Sequence, residues 1–110
     1  MIIAIDIGGT KTLVAMCDKK GTVLQQTRFE TPKTYKAFIN DMQKAVAEIP
    51  LDKCTITAVA APGKINHKSG LVIGFGNLPW KNVPLARDIG AITGTKVIID
   101  NDANLAGLSE

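Results

Sequence analysis

The chain has 110 residues, of which 45% are hydrophobic and 21% charged, and its formal net charge is +3. This length and composition predict a single globular domain with a two-layer core. The sequence has no apolar run near the roughly 20 residues of a membrane-spanning helix, its start MIIAID lacks the features of a signal peptide, and two cysteines are too few for a disulfide framework. We therefore expect a cytoplasmic protein that does not enter a membrane.

The positive charge does not by itself indicate a nucleic-acid-binding protein. The lysines are scattered through turns such as residues 18–21 and 67–70 and form no basic run. Aromatic residues make up only 5% of the chain, which is too few for a base-stacking surface. A mildly basic surface fits a phosphorylated small molecule at least as well, so we expect small-molecule partners and no nucleic acid.

In the first half of the chain, an apolar run over residues 2–7 predicts a buried strand that only Asp6 interrupts. Residues 12–17 and 22–29 are rich in β-branched or alternating apolar side chains and flank a short turn, so they predict two further strands of a meander. Apolar residues then recur every three or four positions, which predicts an amphipathic helix over residues 34–48 that Pro50 ends.

The second half predicts two more strands connected by a helix, with a small hairpin and a loop ahead of that helix. In chain order these are a strand over residues 55–61, a hairpin over 64–73, a loop over 74–80, a helix from Pro84 with its C-cap at Gly94, and a strand over 96–100. A last helix is predicted to begin at Asn101 and Asp102.

The order of these elements predicts an α/β fold with a five-stranded mixed sheet of order 3-2-1-4-5 and flanking helices. Hairpins make the first three strands antiparallel, whereas helical crossovers make the fourth and fifth strands parallel to the first. The carboxyl ends of those three parallel strands, at Asp6, at Pro62 and Gly63, and at Asn101 and Asp102, are therefore expected to lie along one edge of the sheet. Ligands of open α/β sheets bind at that edge.

The stretch IDIGGTK at residues 5–11 predicts a phosphate-binding turn between the first two strands. Bare backbone at Gly8 and Gly9 permits close approach of a ligand, and Thr10 and Lys11 can donate hydrogen bonds to phosphate oxygens. Asp6 can hold Mg²⁺ through water, because this ion keeps much of its hydration shell in proteins. An ordinary Gly-Gly hairpin explains the glycines equally well from composition alone, so both interpretations stay open at this point.

Four polar residues, Asp100, Asn101, Asp102 and Asn104, crowd the junction where the last strand meets a helix. Capping that helix needs only one of them. A carboxylate at Asp102 can orient a hydroxyl nucleophile and accept its proton, which phosphoryl transfer to an alcohol requires. With neighbouring strands about 4.8 Å apart, Asp6 and Asp102 would lie roughly 10 Å apart, which leaves room for a phosphoryl group and an acceptor hydroxyl.

Other polar and thiol side chains have simpler roles to consider. Asn77 lies in a glycine-rich segment near the same edge and either hydrogen-bonds a sugar hydroxyl or only shapes a turn. His67, the single histidine, lies in a turn of Lys, Ser and Gly and is expected to be solvated rather than catalytic. Cys17 and Cys54 are expected to be small core residues.

Taken together, four segments resemble the ROK family (repressor, open reading frame, kinase), which includes bacterial glucokinases and N-acetylhexosamine kinases. They are IDIGGTK, AAPGKI with a following Gly70, NLPW with PL, and DNDANLAGLSE, and they extend along essentially the whole chain. The resemblance implies the actin-like ATPase fold with its ribonuclease H-like topology. It also implies transfer of the γ-phosphoryl group of ATP, with Mg²⁺, to a hexose hydroxyl.

The resemblance assigns roles to individual residues. It makes Asp102 the catalytic base, places Asn101, Asn77 and Gly63 beside the sugar with Asp102, and makes residues 5–11 the first phosphate loop. It further implies that residues 1–110 are the N-terminal lobe of a two-lobed kinase that is a dimer at full length. The second lobe is then absent from this chain, which we expect to be inactive alone.

Three other functions are compatible with the same residues. A ROK transcriptional repressor carries a winged helix-turn-helix ahead of this domain, and here the first predicted strand already begins at Ile2. An actin-like ATPase would use water in place of the sugar. A non-catalytic interaction module would expose a hydrophobic surface and self-associate. The sugar itself stays open among glucose, N-acetylglucosamine, N-acetylmannosamine, fructose and allose.

Overall fold

The computed structural model describes residues 1–66, 68–75 and 78–101. Within these ranges the chain forms eight strands, two α-helices and a short 3-10 helix at Leu51–Lys53. In chain order the strands and α-helices are β1 (Ile2–Ile7), β2 (Lys11–Cys17), β3 (Val23–Glu30), α1 (Tyr35–Val46), β4 (Ile56–Ala60), β5 (Lys64–Asn66), β6 (Leu71–Phe75), β7 (Leu78–Val83), α2 (Leu85–Thr93) and β8 (Lys96–Asp100).

The main sheet has the strand order β3-β2-β1-β4-β8. Strands β1, β2 and β3 pair antiparallel, whereas β1 pairs parallel with β4 and β4 pairs parallel with β8. The predicted order 3-2-1-4-5 is confirmed, with β8 as the fifth strand of this sheet. The directions follow from the connections, because a tight hairpin reverses the chain and a helical crossover returns it in the same direction.

A second, three-stranded antiparallel sheet of order β5-β6-β7 lies between β4 and α2 in the chain. The hairpin of β5 and β6 is confirmed, but the prediction of a loop over residues 74–80 is wrong, because β6 extends to Phe75 and β7 begins at Leu78. Leu78 and Trp80 are buried, and this burial favours an extended segment there. Pro79 is tolerated because β7 is an edge strand, where a missing backbone N–H breaks no ladder.

Both helices pack against the main sheet through one continuous core. Phe38 and Met42 of α1 and Leu85 and Ile89 of α2 are fully buried and belong to the same cluster as Ile3, Ile5 and Ile7 of β1. The alternation along β1 places these three isoleucines on one face, so α1 and α2 cover the same face of the sheet. Neither helix is long and apolar enough to span a membrane.

Capping residues mark the start of α1 and the end of α2, and the predicted C-cap at Gly94 is confirmed. The Thr34 side chain accepts a hydrogen bond from the Ala37 N–H at the start of α1, at 3.3 Å. Gly94 follows α2 in the left-handed conformation, with φ of 70°, and its N–H donates to the Gly90 carbonyl. Glycine is favoured there because a Cβ disfavours positive φ.

The small sheet is fastened to α2 by a close backbone contact. The Ala86 N–H donates to the Gly70 carbonyl at 3.2 Å, and Gly70 has a φ of 70°. A Cβ on Gly70 would lie 2.3 Å from the Ala86 Cβ, which is far inside van der Waals contact. Gly70 is therefore required both by its backbone conformation and by its neighbour.

Gly70 and Gly94 provide a matched pair for testing this contact, because both have a φ of 70° and only Gly70 faces a neighbouring atom within 4 Å. We expect Gly94→Ala to lower the free energy of unfolding by about 1 kcal/mol through backbone strain alone. Gly70→Ala should lower it by about 3 kcal/mol, because overpacking adds to the same strain. Equilibrium urea unfolding measures both. Equal losses in the two variants would show that the Ala86 contact contributes nothing.

Candidate active site

The candidate site begins where the three parallel strands of the main sheet end. Asp6 at the end of β1 is in register with Ala60 of β4, and Ala60 is in register with Asp100 of β8. Residues that pair in this way point to the same face of the sheet, so Asp6 and Asp100 share one face. Two strand spacings separate their backbones by roughly 10 Å.

Asn101 ties the end of β8 to the turn that follows β4. Its side-chain Nδ2 donates to the carbonyl oxygens of Gly63 and Ala61, the latter at 3.3 Å. The Ala61 N–H in turn donates to the Asp100 carbonyl at 2.9 Å. Gly63 has a φ of 93°, a conformation that favours glycine. The structure thus brings Gly63 and Asn101, two residues predicted to contact a sugar, into direct contact with each other.

Asp6 and Asn101 also line a common cavity of about 240 Å³. The remaining lining is largely small or apolar and includes Ala4, Ala15 and Ala60. Asp6 is exposed, so its carboxylate is accessible from this cavity. A charged group, an amide and space between small side chains therefore occur together at the carboxyl ends of β1, β4 and β8.

Cys17 lines the same cavity but is not a nucleophile there. Burial, and to a lesser extent the negative charge of Asp18, raises the pKa of the Cys17 thiol above its ordinary value. The thiol is therefore protonated at neutral pH, and only the thiolate reacts. Cys17 acts as a small core residue, as does Cys54, which is also buried.

The predicted phosphate-loop stretch, residues 5–11, contains the hairpin turn between β1 and β2 and does not lead into a helix. Its turn, Gly8 to Lys11, is called the phosphate loop from here on. The Gly8 N–H donates to the Lys11 carbonyl and the Thr31 N–H donates to the Thr10 carbonyl, each at 2.9 Å. Gly9, Thr10 and Lys11 are exposed. The loop thus has a fixed backbone and presents its polar side chains to solvent.

Gly8 and Gly9 differ in whether the surrounding structure has room for a side chain. Neither has a positive φ. A Cβ on Gly8 would lie 2.9 Å from the Lys11 carbonyl oxygen, so the turn itself excludes a side chain there. A Cβ on Gly9 would meet no atom within 4 Å. The turn therefore requires Gly8, whereas Gly9 leaves bare backbone facing open space, which suits the close approach of a ligand.

A second and larger cavity, of about 570 Å³, lies against the same loop. Its lining includes Thr10, Lys11, Lys33 and Glu30, so two ammonium groups and one carboxylate border it. Pro79 of β7 closes another side. The exposed polar groups of the phosphate loop therefore face a space large enough for a ligand.

Four residues discussed from the sequence lie outside the described ranges: His67, Asn77, Asp102 and Asn104. The roles of Asp102 as catalytic base and of Asn77 at the sugar stay predictions, as does the last helix. Asp102 is bonded directly to Asn101, whose side chain is held against the turn after β4.

Two features of the site were not predicted from the sequence. The first is the alignment of Asp100 with Asp6, which depends on the strand register. The second is a pair of buried threonines behind the phosphate loop, Thr12 and Thr31. Thr12 gives a weak signal in the sequence, since it shares the inward face of β2 with Val14 and Met16 although it is polar.

The two glycines of the loop should respond differently to alanine. Gly8→Ala forces a Cβ against a carbonyl oxygen, so we expect it to lower the free energy of unfolding by about 1–3 kcal/mol. Gly9→Ala should be neutral or stabilising by up to about 1 kcal/mol, because alanine restricts the unfolded chain and nothing in the fold opposes it. Urea unfolding of both variants tests this. A large loss of stability in Gly9→Ala would contradict the open space around that residue.

Comparison with known proteins identifies the family. The family model described as "ROK family" matches residues 2–110. The chain is 30% identical to a glucokinase of Streptomyces coelicolor over 111 residues, which is 100% of this chain and 35% of that enzyme. It is 32% identical to an N-acetyl-D-glucosamine kinase of Haemophilus influenzae, covering 100% of this chain and 37% of that enzyme. The chain thus spans about a third of the length of these relatives.

A solved structure gives the same result for the fold. The ROK family glucokinase from Streptomyces griseus, in complex with glucose and AMPPNP, superimposes with a TM-score of 0.83 at 29% sequence identity, covering 96% of this chain and 34% of that protein. The described strand order agrees with the actin-like ATPase fold of these sugar kinases. The chain belongs to the ROK family and has its actin-like ATPase fold.

Proposed function

We propose that residues 1–110 are the N-terminal lobe of an ATP-dependent kinase that phosphorylates a hexose or an N-acetylhexosamine. The observation that carries the proposal is the meeting of Asp6, Gly63 and Asn101 at the carboxyl ends of β1, β4 and β8, beside the glycine loop. The relatives support it, since they include a glucokinase and an N-acetyl-D-glucosamine kinase. We also place the full-length protein in the cytoplasm, as a dimer.

The phosphate end of the site is the loop from Gly8 to Lys11. Bare backbone at Gly9 lets phosphate oxygens approach the chain, and the exposed Thr10 hydroxyl and Lys11 ammonium donate hydrogen bonds to them. Mg²⁺, when bound, neutralises charge on the transferred phosphoryl group. Asp6 fits such an ion through bridging water, because its exposed carboxylate lines the cavity at the end of β1.

The sugar end of the site is the junction after β8. Asp102 accepts the proton of the attacking sugar hydroxyl and orients that hydroxyl toward the phosphoryl group. Asn101 contacts the sugar through its Oδ1, since its Nδ2 already donates to the turn that holds Gly63. Asn77 supplies a further hydrogen bond to the sugar. The fixed turn restricts Asn101, which reduces the conformational freedom lost on binding.

Catalysis in this proposal needs a second lobe, because closure of two lobes around the substrates excludes water. We therefore expect the 110-residue chain alone to show no measurable kinase turnover. A coupled assay for ADP release, with the chain alone beside the full-length protein, checks this. Sustained phosphorylation of any hexose by the chain alone would contradict the two-lobe requirement.

The experiment that tests the function is a sugar panel with the full-length protein and its Asp102→Asn variant. Wild type should phosphorylate one or more of glucose, N-acetylglucosamine, N-acetylmannosamine, fructose and allose. Asp102→Asn should lose several orders of magnitude in kcat while remaining folded, because an amide cannot accept the proton. Asp52→Asn, in the short 3-10 helix, is a control that removes one exposed carboxylate outside the site.

The same panel separates the other functions. Sugar-independent ADP release would indicate an actin-like ATPase, and the absence of any nucleotide turnover would leave an interaction module. A transcriptional repressor would shift an operator DNA fragment in a gel and show no turnover. Activity on one sugar that Asp102→Asn abolishes and Asp52→Asn preserves would exclude all three.

A further variant tests the phosphate loop. Gly9→Ala adds a methyl group where the phosphates approach the backbone, so we expect the Kd for ATP to rise roughly tenfold or more in the full-length protein. The Kd for the sugar should be unchanged, because the added methyl lies at the phosphate end. Isothermal titration calorimetry measures both. Unchanged ATP affinity in this variant would show that Gly9 does not contact the nucleotide.

A further inference from the structure

Two buried threonines form a hydrogen-bonded chain that ends on the phosphate loop. The Thr31 hydroxyl lies 2.8 Å from the Gly8 carbonyl oxygen and 2.8 Å from the Thr12 hydroxyl. A carbonyl can only accept, so the Thr31 proton points to Gly8 and Thr12 must be the donor to Thr31. The hydrogen bonds therefore have one donor-to-acceptor order: Thr12 donates to Thr31, and Thr31 donates to the Gly8 carbonyl.

Because both threonines are buried, their hydrogen bonds favour one conformation of the loop. Thr12 is 0% exposed and Thr31 is 9% exposed. Their hydroxyls are therefore largely shielded from water, and a partner lost from this chain is not simply replaced by solvent. A loop conformation that turned the Gly8 carbonyl outward would leave the Thr31 hydroxyl without its acceptor.

The hydrogen bond from Thr31 to the Gly8 carbonyl also determines the direction of the Gly9 N–H. In a planar trans peptide the C=O and N–H point in opposite directions. Since the Gly8 carbonyl points toward Thr31, the N–H of Gly9 points away from Thr31. Three of the loop carbonyls, those of Gly8, Thr10 and Lys11, accept hydrogen bonds within the protein. Their negative ends are thus turned away from the ligand, which favours an anion at the loop.

Thr31 is itself held firmly. The Trp80 ring N–H donates to the Lys33 carbonyl at 2.8 Å, two residues after Thr31. Trp80 is 2% exposed, and its ring centroid lies 4.7 Å from that of Phe38 in α1. The Thr31 N–H also holds the Thr10 carbonyl. The segment from Thr31 to Lys33 therefore connects the hydrophobic core to the phosphate loop through backbone hydrogen bonds at both of its ends.

We propose that Thr31 is a positioning residue for the phosphate loop: its hydroxyl turns the Gly8 carbonyl inward and so aims the Gly9 N–H at a phosphate oxygen of the nucleotide. Thr12 supports it by donating to the Thr31 oxygen. In this inference both side chains act on the nucleotide through the backbone of the loop. The inference deepens the proposed function and rests on it, since it assumes that the loop binds the phosphates of ATP.

The test uses Thr31→Val and Thr31→Ser in the full-length protein. Valine keeps the shape and removes the hydroxyl, so we expect the Kd for ATP to rise roughly tenfold to a hundredfold while the Kd for the sugar stays within about twofold. Serine keeps the hydroxyl and should restore ATP binding to within about threefold of wild type. Calorimetric titration with a non-hydrolysable ATP analogue and with the sugar gives both constants.

Thr12→Val and Thr57→Val form a matched pair that separates positioning from stability. Both threonines are 0% exposed, and the Thr57 hydroxyl is also bonded, at 2.5 Å, to the Thr95 hydroxyl. Thr57 is in register with Ile3 and Thr12 with Ile7, so Thr57 lies about 13 Å further along the sheet from the loop. We expect similar losses of stability, but only Thr12→Val should weaken ATP binding, by about three- to tenfold.

Each outcome decides the inference. If Thr31→Val binds ATP as wild type does, or if Thr31→Ser fails to restore binding, the positioning role is wrong. If Thr31→Val does not fold, equal ATP affinities in Thr12→Val and Thr57→Val would overturn it, and a difference between them would support it. Failure of the wild-type protein to bind ATP at all would instead overturn the proposed function.

Discussion

The in-register parallel pairing of β1, β4 and β8 is the constraint on which the candidate site depends. Because Asp6, Ala60 and Asp100 lie in one row across the sheet, the carboxyl ends of three segments that are far apart in the sequence meet at one edge. Asn101 then locks the end of β8 to the turn after β4. A shift by one residue in either pairing would place Asp6 and Asp100 on opposite faces of the sheet.

The phosphate loop depends on a second constraint, which acts on the backbone. Gly8 permits the turn to close on the Lys11 carbonyl, and Thr31 holds the carbonyl of Gly8 from the protein side. The fold does not require glycine at position 9, since a Cβ there would meet no described atom within 4 Å. One half of the loop is thus specified by the fold, and the other half is left open on the ligand side.

Much of the fold could be predicted from the sequence, because local patterns report local structure. The isoleucines of β1, the periodic apolar residues of α1 and the capping residues Thr34 and Gly94 each specify their element within the nearest turn. The strand order followed from the connections. The exception was β7, since the glycine and proline of residues 74–80 are typical of a loop, and only the buried sites for Leu78 and Trp80 make the segment a strand.

The sequence alone determined the family motifs, the element order and the residue types at the edge of the sheet, because these depend on chain connectivity and side-chain chemistry. Only the tertiary structure decided the row that aligns Asp6 with Asp100, the bond from Asn101 to Gly63 and the chain from Thr12 through Thr31 to Gly8. The hydrogen bonds join residues 19 to 38 positions apart, and Asp6 and Asp100 lie on two strands that are aligned only through β4 between them. No local pattern encodes such distances, which are set by how the helices and strands pack.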